Sequence, residues 1–107
     1  MYVSITYDIT WTKARTQIVR LLESYGFRVQ KSVFEVELNE SQYTKIKKQL
    51  GKILEKADVY YREKEISNED SIKFYILSKI GEGNLEGRID GLGAGYEKIY
   101  FPEVMIL

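Results

Sequence analysis

The stretch FRVQKSVFEVEL, residues 27–38, carries two strand patterns that are out of phase with each other. Apolar side chains occupy odd positions from Phe27 to Val33 and even positions from Phe34 to Leu38. Because neighbouring side chains in a strand point to opposite faces, this change of phase requires a bulge or a very tight turn. The stretch therefore predicts two consecutive strands, over about 27–32 and 33–38.

The segments on both sides of these strands alternate between two kinds of hydrophobic spacing. A period of two indicates a strand, and spacings of three and four residues indicate a helix. Asn39 with Gln42 three residues later resembles a capping box, which marks the start of a helix. The predicted elements are a strand over 2–8, a helix over about 12–25, a helix over about 40–56, a loop over 58–70 and a strand over about 71–80.

The resulting order, β-α-β-β-α-β, is that of the ferredoxin-like unit. We therefore predict an α+β fold, formed by residues 1–80, in which an antiparallel sheet carries both helices on one face. The other face of such a sheet is open and must be solvated or covered. A second copy of the chain is an economical cover, which predicts a homodimer.

The last part of the chain, residues 81–107, does not follow this pattern. GEGNLEGRIDGLGAG, residues 81–95, has six glycines and is expected to be a flexible or turn-rich connector. KIYFPEVMIL, residues 98–107, is strand-like and apolar to its last residue, so we expect it to be docked. Pro102 favours an edge position or a break into two short strands. We assign 81–107 to the same domain, as a connector followed by a C-terminal strand segment.

The composition excludes several classes of active site. The chain has 107 residues, enough for one domain, and contains neither cysteine nor histidine. Disulfides, zinc–thiolate sites, cysteine nucleophiles and a histidine general base are therefore excluded. An enzyme of this composition must rely on carboxylates, hydroxyls, cations or a bound metal. The sequence has no apolar run near the roughly 20 residues of a membrane span and no signal-like start, so we expect a cytoplasmic protein without a membrane partner.

The charge is unevenly distributed although the net charge is zero. Residues 1–56 hold ten Lys or Arg and six Asp or Glu, whereas residues 57–107 hold six and ten. A basic half is compatible with a polyanion partner, but also with chance variation on solvated faces. The charge distribution alone favours the second interpretation.

Asp8 ends the first predicted strand, YVSITYD, residues 2–8. The alternation places it with Ser4 and Thr6, on the face opposite the more apolar one. Taken alone, Asp8 is a turn residue or an N-cap before the first helix, or it is a functional carboxylate. The pattern by itself favours the structural role.

Three motifs together resemble the family of CRISPR-associated protein Cas2. They are ITYDI at residues 5–9, an Arg- and Lys-bearing first helix that ends in Tyr25-Gly26, and RVQKSVFEVEL at residues 28–38. The match covers about residues 2–56, half of the chain, in order and spacing. The pairing of YDI with RVQKSVFE is specific, whereas either motif alone is weak.

The resemblance implies a ferredoxin-like homodimer whose sheets face each other and whose C-terminal strands extend the partner subunit's sheet. It implies a role in CRISPR adaptation, the acquisition of new spacers, in which the dimer bridges two copies of the CRISPR integrase and holds duplex DNA. Many members of the family are described as metal-dependent endonucleases on single-stranded RNA or duplex DNA. The expected cofactor is therefore Mg²⁺ or Mn²⁺.

The resemblance also assigns roles to particular residues. The strand-end aspartate of the family falls on Asp8, which becomes the candidate catalytic and metal-binding residue. A second basic position in the first helix falls on Gln17, where this chain departs from the family pattern. The candidate nucleic-acid contacts are Lys13, Arg15, Arg28 and Lys31, and the candidate supporting residues are Tyr7, Ser32 and Phe34. Structural roles remain alternatives, in the turn for Ser32 and in the core or dimer interface for Phe34.

A single carboxylate is a poor magnesium site, because Mg²⁺ prefers octahedral oxygen ligands with one or two carboxylates. If Asp8 lies near the two-fold axis of a dimer, two copies converge and either bind a metal or share a proton. A metal held there could activate water for attack on a phosphodiester without histidine. We therefore predict a Mg²⁺-dependent endonuclease. The alternatives are a non-catalytic scaffold that bridges integrase subunits and duplex DNA, and a toxin-like ribonuclease of the same fold.

Overall fold

A computed structural model describes residues 1–100 of the protein. These residues follow the predicted order β-α-β-β-α-β and then add a strand and a short helix. The elements are β1 (Tyr2–Asp8), α1 (Thr12–Glu23), β2 (Gly26–Gln30), β3 (Val33–Glu37), α2 (Glu40–Glu63), β4 (Ser71–Gly81), β5 (Asn84–Leu92) and α3 (Ala94–Tyr100).

The strands form one sheet in the order β2-β3-β1-β4-β5, in which all neighbouring strands are antiparallel. β1 lies in the centre between β3 and β4. The first four strands therefore have the ferredoxin-like arrangement, and the predicted α+β fold with an antiparallel sheet is confirmed. The central position of β1 places Asp8 at the end of a strand that is paired on both sides.

The core lies between one face of the sheet and the helices α1 and α2. Alternate residues of the three central strands are buried there, as the period of two predicts. The core residues are Val3, Ile5 and Tyr7 in β1, Phe34 and Val36 in β3, Ile72, Phe74 and Ile76 in β4, Ala14, Ile18 and Leu22 in α1, and Tyr43, Ile46, Leu50, Leu54, Ala57 and Tyr61 in α2.

β2 and β3 form the hairpin that the change of phase predicts. Gln30 pairs with Val33 across a two-residue turn, and the register shifts between Arg28 and Gln30. The hairpin thus contains both a tight turn and an irregularity in the strand. The turn approaches the end of β1, where the backbone N–H of Tyr7 donates to the carbonyl oxygen of Ser32 at 3.1 Å.

α2 begins with the predicted capping box and ends later than predicted. The side chain of Asn39 accepts a hydrogen bond from the backbone N–H of Gln42, and the side chain of Gln42 accepts one from the backbone N–H of Asn39. The helix continues to Glu63, so the expectation of a loop was wrong for 58–63. Ala57 and Tyr61 are buried and extend the apolar stripe by a further turn, which keeps the helix on the sheet.

Neither α2 nor any other helix within residues 1–100 combines the length and the apolar character that crossing a membrane requires.

The glycine-rich segment 81–95 is not the flexible connector that we expected. Residues 84–92 form β5, an edge strand that pairs antiparallel with β4. α2 anchors this strand from the core side, because the carboxylate of Asp90 accepts hydrogen bonds from the hydroxyl of Tyr43 and the ammonium of Lys47. Pairing and anchoring therefore order a sequence whose local composition indicates turns.

Two glycines at the end of this segment are required by close packing. A Cβ atom on Gly91 would lie 2.3 Å from the ring of Tyr96, and one on Gly93 would lie 2.3 Å from the carbonyl oxygen of Asp70. Gly93 also has a φ of +102°, a conformation that side chains disfavour. The glycines thus allow the chain to turn from β5 into α3 against the loop that precedes β4.

Residues 98–100 lie in the helix α3, so the prediction of a strand was wrong for these residues. The backbone N–H of Gly95 donates to the carbonyl oxygen of Asp70 at 2.8 Å, and the ammonium of Lys98 lies 2.7 Å from the carboxylate of Glu69. These contacts favour a helix where a short apolar run alone does not distinguish helix from strand. The rest of that predicted strand, 101–107, lies outside the described residues. The division of the chain at residue 80 and the extension of a partner's sheet stay predictions.

Candidate nucleic-acid interface

Asp8, the last residue of β1, is exposed and lies opposite Ser71 of β4. Its carboxylate makes no hydrogen bond or ion pair with another residue of 1–100. The N-cap of α1 is Trp11, whose own side chain makes no capping hydrogen bond. Asp8 is therefore neither a helix cap nor a turn residue, and its carboxylate is available for a ligand.

The connection from β1 to α1 is held by a buried carboxylate that sequence analysis missed. Asp70 is 2% exposed, and its Oδ1 atom accepts a hydrogen bond from the backbone N–H of Thr10 at 3.0 Å. Asp70 also accepts a hydrogen bond from the hydroxyl of Tyr61, which lies on α2. Asp70 stands in the polar run SNED, residues 67–70, so its surroundings in the sequence gave no indication of burial.

Asp8 lines a cleft of about 610 Å³ that lies between the end of β1, the α1 helix and the β2–β3 turn. Most of the predicted site residues meet there, although they come from three separate segments of the chain. Those in the cleft are Tyr7, Asp8, Arg15, Arg28, Lys31 and Ser32.

Two of the predicted cations make hydrogen bonds to protein oxygen atoms at the edges of the cleft. Arg15 donates from Nη1 to the carbonyl oxygen of Ile9 and from Nη2 to the hydroxyl of Thr12, each at 3.0 Å. Arg28 donates from Nε at 3.1 Å and from Nη2 at 2.6 Å to the carbonyl oxygen of Lys31. Both guanidinium groups thus hold backbone in place while they contribute positive charge.

Tyr7 and Ser32 connect the strand end to the turn. The hydroxyl of Tyr7 donates to the carbonyl oxygen of Lys31 at 3.1 Å, which fixes the turn beside Asp8. Phe34 is fully buried behind the cleft, with its ring centroid 6.4 Å from that of Tyr7, and does not line the cleft. Its place is the core, which was one of the two expected roles.

Lys13 does not line the cleft. Its ammonium lies 5.8 Å from the centroid of the Trp11 ring, an arrangement typical of a cation–π contact. The ring of Trp11 stacks in turn on that of Tyr60, with 4.2 Å between centroids. The structure therefore separates Lys13 from the other predicted contacts.

α1 presents three further polar side chains to the cleft that sequence analysis missed. They are Thr16, Arg20 and Glu23. Residues three or four apart share one face of a helix, so the spacings of four and three from Thr16 to Arg20 and from Arg20 to Glu23 place these three side chains on one face. Gln17, to which the family pattern pointed, does not line the cleft.

The charges of the cleft suit a phosphate-bearing ligand. Its cations outnumber its carboxylates, which are those of Asp8 and Glu23; the cations are Arg15, Arg20, Arg28 and Lys31. Cations grouped on a concave surface attract the phosphates of a nucleic acid without selecting its sequence.

The residues of one chain do not form a complete metal site. Within residues 1–100 there is no group of three or more Asp, Glu, His or Cys side chains that could hold a metal ion. Mg²⁺ is commonly bound by one or two carboxylates together with waters and substrate phosphates. Asp8 therefore fits a magnesium site only if a substrate, a second copy of the chain, or both supply further oxygen atoms.

The first 83 residues match the sequence profile of the family described as CRISPR associated protein Cas2. The chain belongs to the Cas2 family. Its membership confirms the resemblance of residues 2–56 and extends it to β4. The protein is accordingly CRISPR-associated.

Relatives and a solved structure agree with this assignment. The CRISPR-associated endoribonuclease Cas2 3 of Synechocystis sp. is 42% identical over 78 residues, which are 73% of this chain and 72% of that protein. An endoribonuclease Cas2 3 of Chloroflexus aurantiacus is 34% identical over 80 residues, 75% of this chain and 74% of that protein. The crystal structure of Streptococcus pyogenes Cas2 superposes with a TM-score of 0.56 and 32% identity, covering 75% of this chain and 89% of that chain.

Proposed function

We propose that the protein is a component of CRISPR adaptation and a Mg²⁺-dependent endonuclease that acts as a homodimer. The observation that carries this proposal is the position of Asp8, which lines a cleft with four cations and whose exposed carboxylate has no partner within residues 1–100. Relatives that are named endoribonucleases support a nuclease. Single-stranded RNA is therefore the first substrate to test, and duplex DNA is the second.

The open face of the sheet supports the homodimer. Large apolar side chains on this face are between 41% and 59% exposed; they are Tyr2, Tyr75, Leu77, Leu85 and Ile89. Across the strands, Tyr2 lies opposite Leu77 and Tyr75 lies opposite Ile89, so these side chains form a continuous patch. Such a patch is typical of a protein interface, and a second copy covers it through two-fold symmetry.

Asp8 shares this face with Tyr2, because residues two apart in a strand point the same way. A dimer formed through the open face with its two-fold axis near Asp8 would bring two Asp8 carboxylates together. Two carboxylates and the oxygen atoms of a substrate phosphate fit the ligands that Mg²⁺ prefers. When bound, the metal ion would supply charge stabilisation at the scissile phosphate and an activated water.

The other residues of the cleft bind and orient the nucleic-acid strand. The guanidinium groups of Arg15 and Arg28 are held by backbone oxygens and present positive charge from fixed positions. Lys31 adds charge at the turn. Contacts of this kind give affinity that decreases with salt, and they do not read bases.

Cleavage assays on single-stranded RNA and duplex DNA, with Mg²⁺ and with EDTA, test the proposal. We expect the wild type to cleave only with the metal ion. The Asp8→Asn variant keeps the size of the side chain and removes its charge, so we expect its rate to fall by about two orders of magnitude, the effect of removing one group that stabilises a transition state.

Glu86→Gln is the matched control, because Glu86 is an exposed carboxylate on β5, away from the cleft. Its rate should equal that of the wild type. Equal cleavage by wild type and Asp8→Asn would exclude Asp8 from the reaction.

A non-catalytic scaffold is the second candidate function. The exposed apolar patch favours it, together with the lack of a complete metal site in one chain within residues 1–100. Such a scaffold would bridge integrase subunits and duplex DNA without turnover. Wild-type protein that does not cleave, with integrase capture that Asp8→Asn leaves unchanged, would favour this function. Membership of a CRISPR-associated family makes a toxin-like ribonuclease outside CRISPR adaptation the weaker alternative.

A further inference from the structure

Arg20 differs from the other arginines of the cleft because its guanidinium has no hydrogen-bond partner within residues 1–100. Arg15 and Arg28 donate to oxygen atoms of the protein. Arg20 makes no hydrogen bond or ion pair with any other residue of 1–100, including Glu23 on the same helix face. It is nevertheless exposed and lines the cleft from the α1 side.

We propose that Arg20 binds a phosphate oxygen of the nucleic-acid strand that occupies the cleft. A guanidinium presents two parallel N–H donors that match the oxygen atoms of a phosphate, which an ammonium cannot do. Lys31 lines the same cleft from the β2–β3 turn. A nucleic-acid strand between α1 and this turn therefore meets positive charge on both sides. This proposal rests on the proposed function, because it requires nucleic acid in the cleft.

Arg20 also has a structural role that the test must separate from binding. It lies in the last turn of α1, where a cation interacts favourably with the helix dipole. A lysine at this position would keep that interaction and would lose the paired donors. A purely structural role would therefore leave nucleic-acid affinity unchanged in both Arg20→Lys and Arg20→Gln.

Fluorescence anisotropy of a labelled single-stranded RNA, measured in EDTA over a range of salt, tests the contact without cleavage. We expect Arg20→Gln to bind about tenfold more weakly, the order of one charge-assisted contact. The slope of log K against log salt should become shallower by about 0.7, the value for one phosphate contact on a single strand. Arg20→Lys should keep the wild-type slope with an intermediate affinity.

Lys52→Gln is the matched control, because it removes one exposed positive charge from α2 outside the cleft. It should bind like the wild type. Circular dichroism should give Lys52→Gln and Arg20→Lys the wild-type melting temperature, and should give Arg20→Gln a slightly lower one because the interaction with the helix dipole is lost. Arg20→Gln with the affinity and slope of Lys52→Gln would overturn this proposal alone. A wild type that binds RNA but does not cleave it would contradict the endonuclease and leave the Arg20 contact in place. A wild type that binds neither single-stranded RNA nor duplex DNA would overturn both.

Discussion

The hydroxyl of Tyr61 on α2 lies 2.7 Å from Oδ2 and 2.9 Å from Oδ1 of Asp70, in the loop before β4. The same two side chains accept hydrogen bonds from the backbone ahead of α1, Asp70 from the N–H of Thr10 and Tyr61 from the N–H of Trp11. The pair therefore satisfies donors at a helix start that has no side-chain cap of its own. It fixes the path between the strand that ends in Asp8 and the helix that lines the cleft.

We predict that Tyr61→Phe lowers the free energy of unfolding by about 1–3 kcal/mol, because it removes the hydroxyl that donates to the buried carboxylate of Asp70 and accepts from the backbone N–H of Trp11, while Asp70 keeps only the N–H of Thr10. Urea denaturation measures the change. Tyr60→Phe is the control, since the ring of Tyr60 stacks on Trp11 and its hydroxyl has no hydrogen-bond partner within residues 1–100. A loss of stability as large in Tyr60→Phe as in Tyr61→Phe would contradict the role of the Tyr61 hydroxyl.

The same pair predicts how stability depends on alkaline pH. Burial, and next the hydrogen bond to Asp70, raise the pKa of Tyr61 to about 12. The unfolded chain has a tyrosine pKa of about 10, so the folded state holds this proton more tightly. The contribution of this proton to the free energy of unfolding is complete below pH 10. It is lost as the pH rises to 12, by at most about 1.4 kcal/mol per pH unit. Urea denaturation across this range should show a smaller decrease for Tyr61→Phe, and identical profiles would refute the linkage.

Asp90 gives a corresponding prediction at acidic pH. Partial burial raises the pKa of its carboxyl, but hydrogen bonds from Lys47 and Tyr43 outweigh burial and hold the pKa below its usual value. The contribution of Asp90 is therefore present above about pH 3.9 and is lost as the pH falls through the lowered pKa. At neutral pH we expect Asp90→Asn to cost about 1 kcal/mol, since the ion pair is one-third exposed and screened. Hydrogen exchange of β5 amides should accelerate in Asp90→Asn, and should not in Glu86→Gln on the same strand.

Two glycine substitutions should change stability in opposite directions. Gly93→Ala places a Cβ against the Asp70 carbonyl at a positive φ, so we expect a loss of about 2 kcal/mol or more. Gly51 lies inside α2 with nothing within 4 Å of an added Cβ, so Gly51→Ala should gain about 0.5–1 kcal/mol. Urea denaturation of both variants measures the two changes. Destabilisation by Gly51→Ala would show that the helix needs the glycine for another reason.

The parts of the fold that were predictable are those whose cause lies within a short stretch of sequence. The change of phase between Phe27 and Leu38 requires a break between two strands wherever the segment folds. β5 was missed because the contacts that order it are distant in sequence. Asp90 in this strand accepts hydrogen bonds from Tyr43 and Lys47, which precede it by 47 and 43 positions. The local pattern of glycines contains no information about these contacts.

The sequence likewise predicted some residues of the candidate site and missed others. Asp8, Arg15 and Arg28 were identified by resemblance, and the fold brings them to one cleft. Arg20 was missed because the family pattern pointed to position 17, and because Arg20 lies five positions from Arg15, whereas residues on one helix face are three or four apart. Asp70 could not be predicted, because its burial depends on the hydroxyl of a residue on another element.

We predict that cleavage requires the dimer, whereas RNA binding does not. Leu77 is 43% exposed on the open face beside Tyr2, so Leu77→Glu introduces charge into the proposed dimer interface. Light scattering should show a monomer, while Val59→Glu, an exposed site on α2, should remain a dimer. Because two Asp8 carboxylates would no longer meet, cleavage and calorimetric Mg²⁺ affinity should fall to the level of Asp8→Asn. RNA binding should persist, since each chain keeps its own cleft. A monomeric Leu77→Glu that cleaves at the wild-type rate would show that one Asp8 is sufficient.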